Sequence, residues 1–259
     1  MNSFSDVRVE ARNGGIAWIT INRPDKHNAL SRVVLAKLAD AVRSLATDTQ
    51  TRCILIRGAG DRYFAAGGDL VDLAEVRSES ATHEMAEQAT AALDAIRECD
   101  LPVVAYVNGD ALGGGAELAV ACDLRMMAPQ ARIGYVHARL AITPAWGGAT
   151  DLCQLVGGSR ALRMMTRCEM VDASTALQWG LADVVVRDGE QGADANEFLT
   201  PIVERPREVL RAIKLQVRAW RNGSSHVYQR EVERGNLVAM WLGPEHWAAV
   251  DRFRMRKWP

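Results

Sequence analysis

Residues 102–124 read PVVAYVNGDALGGGAELAVACDL. The first six form an apolar run of the length of a buried strand, and three consecutive glycines then open an apolar segment of helical length. Glycine weakens a helix, so a run of it at a helix start suggests that backbone must come close to something. Glu117 follows Gly114 by three residues, one turn along and on the same face, and is the only charged residue between Ala111 and Cys122. The helix therefore reads as buried nearly all round. A buried carboxylate without a partner is costly and titrates high, which suits proton transfer. The alternative is a structural carboxylate paired with an arginine such as Arg125 or Arg139.

Outward from this stretch the same alternation recurs. Val7 to Glu10 and Ile16 to Ile21 read as strands around Asn13-Gly14-Gly15, residues that tolerate a tight hairpin. Ser31 caps a helix whose Val34, Leu35, Leu38, Val42 and Leu45 recur at three and four. CILIRG (53–58) is a short buried strand, followed by helical segments around 69–77 and 82–98, a short helix between Asp172 and Gly180, and a strand DVVV (183–186). Alternating strands and helices give an α/β class. After about residue 190 the pattern is helical only, over Glu204 to Trp220, Ser225 to Leu242 and Pro244 to Met255. Four of the seven tryptophans (Trp220, Trp241, Trp247 and Trp258) fall there, and large aromatics on helices that leave a domain suit a partner subunit.

The composition excludes several classes of function. With 259 residues, 48% hydrophobic, and 31 Lys+Arg against 32 Asp+Glu, the chain has no global field for nucleic acid or anionic membrane. Cys53, Cys99, Cys122, Cys153 and Cys168 are widely spaced and form no C-x-x-C pair, which fits reduced thiols rather than a disulfide or zinc framework. No signal peptide or spanning segment is readable, so a soluble, cytoplasmic protein is expected.

A second loop complements the glycine triplet. FAAGGDL (64–70) lies between the strand at 53–57 and a helix expected to start near Asp69. The N–H groups at a helix start lack internal partners, so the Gly68 amide is available to a ligand oxygen. The alternative is a tight turn with Asp69 as a simple cap. If the two loops face one another they form an oxyanion hole, in which one donor is worth about 3 kcal/mol. A carboxylate one turn beyond the second donor then stands near the carbon α to the carbonyl, and the reaction class is enolate chemistry.

These segments, with NRPDKHNAL (22–30), PAWGGATDL (144–152) and ALQWGLADVVV (176–186), resemble the crotonase, or enoyl-CoA hydratase/isomerase, superfamily. The resemblance runs from about residue 7 to the C-terminus. It implies a crotonase-like ββα spiral core over 1–195 and a helical region over 196–259 that mediates trimers or dimers of trimers. An acyl-CoA thioester is the implied substrate, and no metal or redox cofactor is implied beyond the CoA of the substrate itself. By position, Gly68 and Gly114 match the two amide donors to the thioester oxygen and Glu117 the first catalytic glutamate of the hydratases. Ala66, Asp69 and Leu70 match residues along the CoA or acyl path. Lys26 is similar to positions near the nucleotide end of CoA, or is a solvated loop lysine.

One departure bears on the reaction. Hydratases carry a second glutamate in a P-E segment shortly before the G-G pair, where this chain reads IGYVHARLAITPAWGG (133–148) with Val136 and His137 instead. Hydration needs one group for water and another for the α proton, so losing a carboxylate argues against it. Family isomerases use the same position. VH followed by P-x-WGG, together with ALGGGAE and GSRAL (158–162), resembles the ethylmalonyl-CoA decarboxylase branch. Decarboxylation yields the enolate without removing an α proton. His137 is then a candidate to meet the substrate carboxylate or deliver a proton, against a structural role, and Trp146 a candidate apolar wall. An ionised Glu117 would repel a malonyl carboxylate unless it is protonated, turned away or held by a partner. The alternative activity is an enoyl-CoA hydratase or isomerase acting on short-chain 2-enoyl-CoA, with His137 replacing the missing acid.

Two basic clusters remain. Arg207, Arg211, Lys214, Arg218 and Arg221 form a stripe on one helix face, and Arg252, Arg254, Arg256 and Lys257 form a second group. Solvated helix faces and subunit contacts are the default reading. CoA phosphates are a sharper one. RNA binding is a remote third, since the stripe has no interleaved aromatics apart from Trp220.

Overall fold

The structure, a computed structural model, describes residues 5–12, 14–187, 189 and 193–255. The chain starts with β1 (Val7–Arg12) and β2 (Ile16–Ile21), an antiparallel hairpin, followed by α1 (Arg32–Thr47). Asn13 lies outside the described residues, whereas Gly14 and Gly15 take φ of 88° and 85°. Ser31 caps α1 as its sequence position predicts, with its hydroxyl accepting from the Val34 amide.

The spiral core then repeats a strand–strand–helix unit. β3 (Cys53–Gly58), β4 (Tyr63–Ala65) and α2 (Glu79–Arg97) form one turn, and β5 (Val103–Val107), β6 (Asp110–Leu112) and α3 (Gly114–Ala121) the next. A third contains β7 (Leu124–Met127) and β8 (Arg132–Gly134), followed by α4 (Gly148–Val156) and α5 (Gly158–Arg167). β9 (Met170–Asp172), α6 (Ala173–Trp179) and β10 (Val184–Val185) close the core. The first strand of each unit joins a six-stranded sheet ordered β1-β2-β3-β5-β7-β10, and the second joins a four-stranded sheet ordered β4-β6-β8-β9. From β2 onward the large sheet is parallel. Both of its faces are covered, so its strands read as unbroken apolar runs rather than as alternating ones.

The stretch 69–77 is a correction to the sequence reading. It forms a series of turns, not a helix, because Leu70 and Val71 face solvent and no apolar stripe continues from them. Asp69 only caps the first of these turns: its Oδ1 accepts from the amides of Val71 and Asp72 at 3.1 and 3.4 Å. The small second sheet was invisible in the sequence, since its strands are three residues long and show no period.

Beyond the core lie α7 (Ala193–Val203), α8 (Arg207–Arg221), α9 (His226–Trp241) and α10 (Pro244–Met255). α7 crosses the expected boundary at 195/196 and buries Ala195, Leu199 and Val203 in the core. α9 and α10 bury no residue, and Trp220, Trp241 and Trp247 are exposed. Trp258, Arg256 and Lys257 lie outside the described residues. Among the described residues no helix is long and apolar enough to cross a membrane.

Candidate active site

The two small-residue loops meet. A Cβ on Gly67, whose φ is +100°, would stand 3.0 Å from the Leu112 carbonyl oxygen and 3.5 Å from the Gly114 nitrogen. The first loop is fixed by a short parallel bridge: Leu30 donates its amide to the Gly67 carbonyl at 2.8 Å and the Asp69 amide donates to the Leu30 carbonyl at 3.1 Å. In a parallel bridge the residue between these two bonds turns its own amide away. The Gly68 amide is therefore left without a backbone acceptor among the described residues, for this reason and not because a helix starts there. Gly114 is the first residue of α3, and its amide likewise has no acceptor among the described residues.

Each glycine of the triplet has a local cause. Gly113 takes φ +53° and ψ −121°, a region that excludes other residues. A Cβ on Gly114 would meet the Trp146 indole, with Cζ3 at 2.2 Å and Cη2 at 2.5 Å. One on Gly115 would fall 2.0 Å from the Ala65 carbonyl oxygen, so glycine here lets α3 lie against β4. The close approach inferred from the sequence is thus made, at these two positions, by the protein's own atoms. The far edge of the same indole is 3.8 Å from a Cβ placed on Gly68, so Trp146, itself buried, stands against both loops.

All eight residues of α3 are buried, as its composition predicts, with Glu117 only 1% exposed. Its partners correct the sequence reading. Glu117 Oε2 accepts the backbone amides of Trp146 at 2.9 Å and Gly148 at 3.0 Å, and Oε1 lies 3.1 Å from His137 Nε2. The carboxylate is neither unpaired nor held by an arginine. Arg125 donates to the carbonyls of Leu181 and Cys122 and pairs with Asp183, and Arg139 donates to the Cys168 carbonyl. With Glu117 ionised its carboxylate only accepts, so His137 Nε2 is then the donating nitrogen. His137 Nδ1 is buried and has no hydrogen-bond partner among the described residues.

The remaining expected site residues divide. Ala66 is half-buried beside Gly67, and its amide donates to the His27 carbonyl at 3.1 Å. Leu70 is exposed, and Lys26 is exposed at the end of a 3-10 turn over Pro24–Lys26. The Asp69 carboxylate is engaged elsewhere, since its Oδ2 pairs with Arg23 at 2.8 Å and its Oδ1 caps the following turn. Burial pushes the Asp69 carboxyl up, but the Arg23 hydrogen bond, the two amides and the Arg23 charge outweigh it and hold the group below the ordinary carboxylate range.

The stripe on α8 also corrects its default reading. Arg207 donates to the carbonyls of Thr51 and Ala46, Arg211 to Asp100, and Arg218 to the Glu98 carbonyl. Lys214 pairs with Asp123, and Arg221 with Asp151. All five cations bond within the chain, Lys214 and Arg221 in largely buried pairs and Arg211 in a pair that stays 40% exposed, so the stripe ties α8 to its own core. Arg97, Tyr135, Asp151 and Arg221 were missed as residues around the site. The available signal was Arg97 itself, four residues after Leu93 and so within the apolar stripe of α2.

The chain is similar in sequence and fold to known proteins. The sequence profile described as enoyl-CoA hydratase/isomerase matches residues 11–251. The chain is 33% identical over 250 residues to a Bos taurus protein named ethylmalonyl-CoA decarboxylase, covering 95% of this chain and 81% of that protein. It is 31% identical to the Homo sapiens protein of the same name, covering 95% and 80%. Among solved structures, an enoyl-CoA hydratase from Bacillus anthracis superposes with a TM-score of 0.90 at 25% identity over 98% of each chain. Pseudomonas aeruginosa DspI superposes with a TM-score of 0.89 at 30% identity over 100% of this chain and 98% of that one.

Proposed function

The chain belongs to the enoyl-CoA hydratase/isomerase family, and from that premise we propose that it decarboxylates ethylmalonyl-CoA or methylmalonyl-CoA through an enolate held by the amides of Gly68 and Gly114. The observation that carries this reading is the state of Glu117. One of its oxygens is occupied by two backbone amides and the other faces His137. His137 stands where the resemblance puts the second glutamate of a hydratase. The site thus lacks the pair of carboxylates that hydration uses, whereas the two amides suit stabilisation of an oxyanion.

In the proposed step the bond between the α carbon and the substrate carboxylate breaks and CO₂ leaves. The electron pair moves into the bond between the α carbon and the thioester carbon, and the thioester oxygen gains the charge. The Gly68 and Gly114 amides donate to that oxygen. The α carbon then takes a proton, delivered by His137 and replaced from solvent. The repulsion expected between Glu117 and a malonyl carboxylate is offset by the two amide dipoles and the imidazole on the Glu117 oxygens. Trp146, packed against both glycines, is the apolar wall beside the departing CO₂. Ala66, Leu70 and Lys26 lie along the way to the CoA moiety. The exposed tryptophans of α8, α9 and α10 support assembly into a homotrimer or dimer of trimers.

A second reading, hydration or isomerisation of a short-chain 2-enoyl-CoA, is favoured by the position of Glu117 at the first glutamate of the hydratases and by the solved hydratase structure that superposes. Incubation with ethylmalonyl-CoA, methylmalonyl-CoA and crotonyl-CoA in deuterated water, followed by mass spectrometry, separates the two. Loss of CO₂ with one deuterium gained and crotonyl-CoA untouched is the expected result. Hydrated crotonyl-CoA with intact malonyl thioesters would replace the first reading by the second.

A further inference from the structure

The Trp146 peptide is gripped from both sides. Its N–H donates to Glu117 Oε2 at 2.9 Å, and its carbonyl accepts from Arg97 Nη2 at 2.8 Å. The loop curls around that guanidinium: Gly147 takes φ +84°, and a Cβ there would lie 2.9 Å from Arg97 Nη2. The guanidinium is itself held, with Nε donating to Asp151 Oδ2 at 2.9 Å and Nη1 to Asp94 Oδ1 at 2.8 Å.

Asp151 shares its other oxygen with a second arginine. Arg221, the last residue of α8, donates from Nη2 to Asp151 Oδ1 at 2.7 Å. The same side chain donates to the carbonyls of Val120 and Ala121 at 3.0 and 3.1 Å, closing the end of the helix that carries Gly114 and Glu117. The side chains of Arg97, Asp151 and Arg221 are 12%, 6% and 14% exposed, so water competes weakly for these bonds. A chain of charge-assisted bonds thus runs from α8 to the backbone of the residue whose indole stands against Gly68 and Gly114.

We infer that Arg97 is a positioning residue for Trp146, and that through Asp151 and Arg221 the end of α8 fixes where the indole stands and so which acyl groups the site admits. The inference rests on the acyl-CoA reading only for its selectivity, since the placement of the indole is a property of the protein alone. Arginine suits this role because its planar fork holds three acceptors at once, whereas lysine offers one flexible point charge. A purely structural ion pair would instead contribute stability without acting on the indole.

The test uses the full chain labelled with 5-fluorotryptophan, with the Trp146 resonance assigned by its loss in Trp146→Phe. In Arg97→Lys, the Trp146 resonance is expected to move while that of Trp18 stays. The ratio of butyryl-CoA to acetyl-CoA affinity should change by about tenfold, the low end for one methylene in an apolar pocket. In the Trp146→Phe background the same substitution should leave the ratio unchanged, because the two positions act as one unit. An unmoved resonance, an unchanged ratio, or an equal change in both backgrounds would overturn the inference. Arg221→Lys, at the outer end of the chain, reads the same signals if Arg97→Lys fails to fold. A wild-type protein that binds neither thioester would count against the acyl-CoA reading, and the fluorine shift would still decide the position of the indole.

Discussion

Glu117 Oε1 and His137 Nε2 stand 3.1 Å apart, and the far nitrogen of the same ring has no partner among the described residues. With Glu117 ionised, the pair fixes a tautomer as well as a position. With Nε2 donating to the carboxylate, a neutral His137 carries its lone pair on Nδ1, and a charged one presents an N–H there. Oε2 cannot rotate away from this arrangement without releasing the amides of Trp146 and Gly148.

Glu117→Gln should reverse the ring. The amide oxygen of glutamine can serve the two backbone donors, which leaves its NH₂ facing His137, and Nε2 must then accept. Nitrogen-15 spectra of the imidazole should show hydrogen on Nε2 in the wild type and on Nδ1 in the variant. Glu117→Ala leaves two buried amides and the imidazole without an acceptor and should cost about 3–9 kcal/mol in denaturant unfolding, at 1–3 kcal/mol for each unsatisfied group. An imidazole with the same tautomer in both proteins would contradict the pairing.

The two glycines differ in what they tolerate. Gly114→Ala places a methyl 2.2 Å from the Trp146 ring, whereas Gly68→Ala meets Leu73 Cδ1 at 3.1 Å and the ring only at 3.8 Å. Gly114→Ala should lower stability by about 1–3 kcal/mol, the range for overpacking, and weaken acyl-CoA binding. Gly68→Ala should stay within about 1 kcal/mol, since only the end of a flexible leucine has to give. Trp146→Leu should restore part of the loss in Gly114→Ala and none in Gly68→Ala. Thermal unfolding and binding titrations of the wild type, the three single variants and the two double variants read this pattern.

The inward stripe of α8 implies a stability cost for its removal. Lys214 is buried against Asp123, whose Oδ2 also accepts the amide of Val103 at 2.8 Å. Lys214→Met removes the near cation from that carboxylate, leaving it the Val103 amide and Arg221 at 3.9 Å, and should cost about 3 kcal/mol, the low end for breaking a buried pair. Arg252→Ala, on a helix that buries nothing, should change stability by less than about 0.5 kcal/mol. Chemical denaturation of both variants checks the contrast, and equal losses would mean that α8 is not docked by its charges.

The cysteines give a pH dependence. Burial pushes the Cys53 and Cys122 thiols up to about 12, with the Asp123 charge adding to it, from an ordinary 9.0. The folded state therefore keeps protons that the unfolded chain loses first. The resulting stability is fully present below about pH 9 and declines as pH rises from there toward 12. Iodoacetamide at pH 8 should label exposed Cys153 first and reach Cys53 and Cys122 only after denaturation. In Cys53→Ala, the decline of stability above pH 9 should be shallower than in the wild type.

What the sequence determined was what local chemistry can encode. The run of apolar residues from Val103 to Val107, the serine cap at Ser31 and the single charge in the helix after Gly113 each carry their own signal. The matched motifs around Gly68, Gly114 and Glu117 extended that signal to a family. Tertiary structure alone decided the partners. The acceptor-only carboxylate of Glu117 takes whatever donors the fold brings to it, and those came from residues 137, 146 and 148, twenty to thirty-one positions away. The charged face of α8 looked like a solvated surface for the same reason: periodicity reports which residues share a face, and only packing reports what that face meets. Its arginines are paid for by carbonyls and carboxylates up to 161 residues distant, a separation that no local pattern can register.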